Sequence, residues 1–213
     1  MEKIIIIGGG GHARVLIDML QLSGQEILGY TDLENFGDLE DVAYLGRDED
    51  LKTKYPSGRI KLVNGIGSVR LPVQRRAIYE KFKKLGYTFL TVQHPKAVVA
   101  RNVRIGEGAQ IMSGAIINPG TEIGNNVIIN TSASVDHDCK IGDHTHVAPG
   151  VTISGGVTIG QSNHIGIGAN IIQGIHIGER NVIGAGTLVL RNVGSEETIF
   201  GIPGQVYEPK EVR

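Results

Sequence analysis

His137 stands between two carboxylates in the run Val135-Asp136-His137-Asp138-Cys139. A carboxylate beside an imidazole fixes its tautomer and raises its basicity, the two properties a general base needs. His144 and His146 follow in the same stretch, and His164 lies eighteen residues beyond His146. His144-x-His146 and His137-x-Cys139 also have metal-ligand spacing, so a zinc site is an alternative reading of the same residues. Near the start, Gly8, Gly10 and Ala13 match G-x-G-x-x-G/A, with His12 inside the turn and Asp32 further on. After a strand, such a turn sets phosphate against a helix N-terminus and offers an acid to a ribose.

A repeat must position the histidines. Cut into sixes from Ala97, the sequence reads AVVARN, VRIGEG, AQIMSG, AIINPG and so on through TLVLRN, sixteen blocks with Val or Ile at every third position from Val99 to Val189. A period of six does not suit a helix, which would carry the apolar position around its cylinder. It suits a short strand followed by a tight turn, with the β-branched residue pointing inward and small residues serving the turn. Hexapeptide repeats are a signature of parallel β-helices. With three sides to a coil, residues eighteen apart stack, and sixteen blocks give roughly five coils, about 25 Å tall at the usual strand spacing. His146 and His164 then share a face. His137, fifth in its block, sits outward near a corner, and Cys139 opens the next block past it, which does not recommend that thiol as a nucleophile.

The first ninety-odd residues read differently. KIIII runs into the glycine turn and an amphipathic helix with Val15, Leu16, Met19 and Leu20; EILGYTD is a second strand, KLVNGIG a third, and VQRRAIYEKFKKLG a basic helix. This alternation predicts a small parallel α/β unit over residues 1–94, ahead of a β-helix over 95–192 and a tail over 193–213. One mononucleotide-binding half fits before the repeats, whereas a dinucleotide normally spans two. A single nucleotide or a nucleotide sugar therefore suits the segment better than NAD.

Composition narrows the partners. The 31 glycines are about twice the usual share, while proline stays at 7, so collagen and disordered linkers are excluded. A net charge of -1 gives no reason to expect nucleic acid or an anionic membrane. The lone cysteine and the lack of a long apolar leader point to a cytoplasmic protein.

IGGGGHARV, NTSASVDHDCKIGDHTHVAPG, the unbroken hexapeptides and the ending IFGIPGQV together resemble one family over nearly the whole chain. It is the left-handed β-helix sugar acyltransferases, which include nucleotide-linked 4-amino-sugar N-acetyltransferases and the sialic acid O-acetyltransferase branch. The resemblance implies a Rossmann-like α/β half domain followed by a left-handed, three-sided parallel β-helix. It implies acetyl transfer from acetyl-CoA to the 4-amino group of a nucleotide-linked sugar by direct attack on the thioester, with no metal. His137 would be the catalytic base and Asp138 the acid that orients it, an Asp where relatives often carry Glu. His146 and the backbone amides of Gly155 and Ile167 would meet acetyl-CoA. Gly10, Gly11 and His12 would hold the phosphates, with Thr31, Asp32 and Gly67 around the nucleoside. A homotrimer with each active site between two β-helices is implied as well. The nearest alternative is O-acetylation of a sialic acid or related glycan; a zinc lyase, an NAD enzyme and a non-catalytic scaffold are rivals from other classes.

Overall fold

The computed structural model describes residues 3–201. Most of the IFGIPGQV ending, from residue 202, lies outside the described residues. The chain opens as an α/β unit: β1 (Lys3–Ile7), α1 (Gly11–Leu22), β2 (Ile27–Thr31), α2 (Asp48–Lys54), β3 (Ile60–Asn64) and α3 (Val73–Lys84). Four isoleucines make β1 apolar on both faces, as a central parallel strand must be, and all four are buried. The sheet order is β2-β1-β3, all parallel. With β1 in the middle, the chain switches direction between β1 and β3, and the crevice beyond their carboxyl ends is where ligands bind in open α/β sheets.

From Val92–Gln93 to Thr198–Ile199 the chain winds as a parallel β-helix of two-residue strands. These form three sheets of seven, six and five strands. Each side of the prism pairs residues eighteen apart, as with Ile128 and His146, Ser134 and Thr152, or Lys140 and Thr158. The ladder therefore starts before the first block at Ala97 and its last strand follows the final block, giving about six coils rather than five.

The third-position Val and Ile residues from Ile111 to Val189 fill the axis of the prism. From Ala109 onward the first position of each block is buried too, which places Cys139, Ala133, Val151 and Ala169 in the same core. From Gly108 to Gly186 the sixth position of each block turns the corner in the left-handed region. Glycine serves at Gly108, Gly114 and Gly120, while Asn126, Ser132, Asp138 and His144 adopt the same geometry with φ of 54 to 62°.

Helix α1 and Val92, in the first strand of the solenoid, join the two halves. Leu16, Met19 and Leu20 of α1 pack in one cluster with Val92, Met112 and Ile128, outward residues of the first coils. The seven-stranded face of the prism is thus half covered by the α/β unit. The next outward residues along that face are His146 and His164.

Candidate active site

The glycine turn owes its shape to a close approach and an acid. Gly8 has φ of 99°, and a β-carbon on Gly9 would meet the Tyr30 ring at 2.7 Å. Asp32 accepts the Gly9 N–H at 2.6 Å and the Leu33 N–H at 2.6 Å, tying the turn to the end of β2. Helix α1 then starts at Gly11 with no side-chain cap, so its first N–H groups remain available. Gly10, Gly11, His12 and Asp32 line a cavity of about 640 Å³ whose other walls are Gly67, Ser68, Met112, Asn130 and His146. Thr31 is not among them. It is fully buried and donates its Oγ1 to Asp48, because alternation along β2 turns it to the opposite side from Asp32.

His12 is neutral and its tautomer is fixed. Gln110 spends its Nε2 on the Asn64 carbonyl, so its Oε1 must accept from His12 Nε2–H, at 2.7 Å. Burial first, then the Arg75 charge, lower the His12 pKa to about 4. At neutral pH the ring offers phosphate no positive charge.

A second cavity of about 720 Å³ adjoins the first across Ser68, Val69, Asn130 and His146, and continues along His164, Ile167, Ala185 and Phe200. His146 stands at the junction. The Thr131 N–H occupies Asn130 Oδ1 at 2.7 Å, so Asn130 turns its Nδ2 to His146 Nε2 at 3.0 Å, and His146 Nδ1–H donates to Ser68 Oγ at 2.9 Å. Burial and the neighbouring His164, His12 and Arg75 hold this imidazole well below the usual histidine range. His146 and His164 pair across adjacent coils, with ring centroids 5.1 Å apart and edge to face. Ile167 is exposed on the rim of this cavity. Ser68, Asn130, Gln110 and Arg75 went unnoticed in the sequence. The one signal was register: Gln110 and Ile128 precede His146 in the same eighteen-residue column.

His137 lies elsewhere. It follows strand Ser134–Val135, at the corner where the six-stranded face meets the five-stranded one. It is exposed, and its Nδ1 is 2.9 Å from Asp138 Oδ2. The left-handed turn at Asp138, φ 58°, brings the two neighbouring side chains together. Asp136 braces the same corner by accepting the His137 N–H at 2.8 Å and a hydrogen bond from Asn118. The Asp138 bond first, then the Asp136 charge, raise the His137 pKa above its ordinary value. With Nδ1–H given to Asp138, Nε2 is the free base.

Gly155 sits one coil on, against the His137 ring, and Gly120 one coil back clears space for the Asp138 carboxylate. Gly155 therefore groups with His137 and not with His146 and Ile167. Cys139 is buried beneath, donating to the Ser154 carbonyl at 3.2 Å, and burial raises its pKa. His144 turns a second corner, between the five- and seven-stranded faces, where it bonds Asn126 and meets Tyr79 edge-on. The sequence cluster of histidines is thus dispersed over two corners and one face, and His144 and His146 do not converge on a common point.

Comparison with known proteins agrees with this architecture. Residues 3–82 match the PglD N-terminal domain, and residues 102–136 and 120–155 match the bacterial transferase hexapeptide of six repeats. Perosamine N-acetyltransferase from Caulobacter crescentus, solved as a histidine variant with CoA and GDP-perosamine, is 33% identical, with a TM-score of 0.89 over 98% of both chains. The acetyltransferase domain of PglB from Neisseria gonorrhoeae FA1090 is 28% identical, with a TM-score of 0.89 over 94% of this chain and 97% of that one. WeeI from Acinetobacter baumannii AYE is 26% identical, with a TM-score of 0.84 over 97% and 100%. No curated protein sequence matches the chain. One-third identity along nearly the full length, with the same α/β unit and the same solenoid, makes this chain a member of the left-handed β-helix sugar acyltransferases, enzymes of the hexapeptide transferase class.

Proposed function

We propose that the protein moves the acetyl group of acetyl-CoA onto the 4-amino group of a nucleotide-linked amino sugar, with His137 as general base. The observation that carries the reading is the His137–Asp138 pair: an exposed imidazole with Nδ1 committed to a carboxylate and Nε2 left bare over a glycine. A neutral amine attacks the thioester carbonyl, forming the N–C bond as the C–S bond breaks. Nε2 of His137 takes the proton that the nitrogen must shed, and the sulfur departs as thiolate. Charge developing on the carbonyl oxygen is met by a backbone N–H, an interaction whose removal typically costs about 10²–10³ in rate. No acyl-enzyme is required.

The two cavities suit the two substrates. The one at the glycine turn has the amides and the acid for a nucleotide, and the one along His146, His164 and Ile167 has the apolar wall for a pantetheine arm. Ile167 and Gly155 each carry an N–H with no partner among the described residues. The relatives crystallised with CoA and GDP-perosamine support both assignments by analogy. Within one chain, the six-stranded face separates the cavities from His137. A homotrimer, in which a neighbouring copy brings its His137 corner to this chain's cavities, completes the site.

The test is release of free thiol from acetyl-CoA with a panel of UDP-, GDP- and dTDP-linked 4-amino sugars. Turnover with one of them, lost in His137→Ala while the assembly persists, is the expected result. Acetyl-CoA binding with no turnover across the panel moves the acceptor to a sialic acid hydroxyl, and turnover unchanged in His137→Ala removes the assigned base.

A further inference from the structure

Among the described residues, no lysine or arginine lines the nucleotide cavity. Its lining includes two histidines, His12 and His146, and both are neutral at pH 7. Yet directly behind its wall is a guanidinium. Arg75, on the first turn of α3, is 1% exposed. Nη1 donates to the carbonyls of Asn64 at 3.0 Å and Ile66 at 2.8 Å, and Nε to Asn126 at 3.3 Å. Nη2 is buried without a hydrogen-bond partner, and among the described residues no carboxylate pairs with Arg75. An uncompensated buried cation is costly, and proteins ordinarily pair it.

Its contacts are specific to the cavity wall. The Ile66 carbonyl turned toward Arg75 belongs to the peptide whose other end is the Gly67 N–H. In a trans peptide the two point in opposite directions, so that N–H faces away from Arg75. It has no partner among the described residues, and Ile66, Gly67 and Ser68 form the cavity wall opposite the N-terminus of α1. Gln110, which fixes His12, is anchored on the same Asn64 carbonyl that Arg75 holds.

We propose that Arg75 is the counter-charge for a diphosphate in this cavity, acting from behind the wall by aiming the Gly67 N–H outward and supplying the positive potential that the lining side chains lack. Arg75 is a positioning residue: it touches the wall and not the ligand. The inference rests on the nucleotide-sugar reading above and deepens it, since it says why a cavity without surface cations binds an anion.

The experiment is calorimetric titration of the intact protein with UDP, GDP and dTDP and with the corresponding uncharged nucleosides. Wild type, Arg75→Gln and Arg75→Lys are compared, with CoA as a control ligand. Wild type binds one diphosphate. Arg75→Gln loses about tenfold or more on that diphosphate, the scale of a charged hydrogen bond, and keeps its nucleoside and CoA affinities. Arg75→Lys, which restores charge without the fork that grips Asn64 and Ile66 together, falls between. Equal weakening of diphosphate and nucleoside, or an unchanged diphosphate affinity, overturns the proposal. If Arg75→Gln does not fold, Arg75→Lys carries the comparison alone, and a diphosphate affinity equal to wild type overturns it. If wild type binds none of the three diphosphates, the nucleotide-sugar reading itself is at fault.

Discussion

The ring of His137 rests on Gly155: a β-carbon at residue 155 would lie 2.6 Å from Nε2 and 2.7 Å from Cε1. The two residues are eighteen apart and belong to the same corner of adjacent coils. Glycine here is a requirement of the imidazole and not of the turn, since the left-handed residue of this corner is Gly156.

Gly155→Ala therefore displaces the ring while leaving the backbone unstrained. Activity is expected to fall by about 10²-fold, the scale on which misplacing a reacting group by about 1 Å is felt. The melting temperature should stay within a few degrees of wild type. Full activity in the alanine variant would mean that the ring does not work from this position.

Asp138 pulls stability and activity in opposite directions. A side chain in the left-handed region costs about 1–2 kcal/mol relative to glycine, less for Asp than for most residues. Asp138→Gly is expected to leave the fold as stable or to raise it by up to about 1 kcal/mol, while lowering turnover through loss of the bond to His137 Nδ1. Denaturant unfolding and steady-state rates on one preparation check both signs. A variant that loses stability and keeps turnover would contradict the assignment.

The same bond sets a pH dependence. His137 must be neutral to accept a proton, and Asp138 followed by Asp136 raises its pKa, so kcat/KM is expected to fall on the acid side from a midpoint above the ordinary histidine value. Asp138→Asn removes the largest contribution and should move that limb toward lower pH while reducing the plateau. A limb that stays in place would assign it to another group.

His12 predicts an acid sensitivity of the fold. Its folded pKa of about 4 is depressed from 6.5, so the unfolded chain binds the proton first. The stability it contributes is complete above pH 6.5 and is lost as pH falls toward 4, on the order of 3 kcal/mol for a shift of this size. His12→Gln should flatten the dependence of the melting temperature over that window. An unchanged slope would mean that the other depressed histidines, His144, His146 and His164, account for it.

The solenoid was legible because its repeat is strict: a β-branched residue every sixth position leaves one way to bury all of them. The parallel α/β start and the exposed corner of His137 followed from equally local patterns. What sequence spacing concealed was which side of the prism each histidine faces. His144 and His146 are two residues apart but separated by a corner, and Gly155 and Ile167, both loop amides, serve different corners. Thr31 and Asp32 show the same limit in a strand, where adjacent residues take opposite sides. Arg75 and Gln110 were hidden for another reason. Their roles come from the contact between the α/β unit and the solenoid, and no local pattern encodes contacts between residues tens of positions apart.

The winding without insertions has one more consequence. Residue number acts as an altitude, eighteen residues to a storey. Asn130, His137 and His146 fall within or at the edge of one storey, although His137 stands at a corner away from the face that carries Asn130 and His146. A copy turned about an axis parallel to the shaft, with no slide along it, offers its His137 at the level of this chain's Asn130 and His146. In the proposed trimer, rotation alone sets the reacting groups level, and a slip of one storey would misplace a base by about 4.8 Å. The altitude is written into every block, so a single inserted residue below His137 would move the base without touching it.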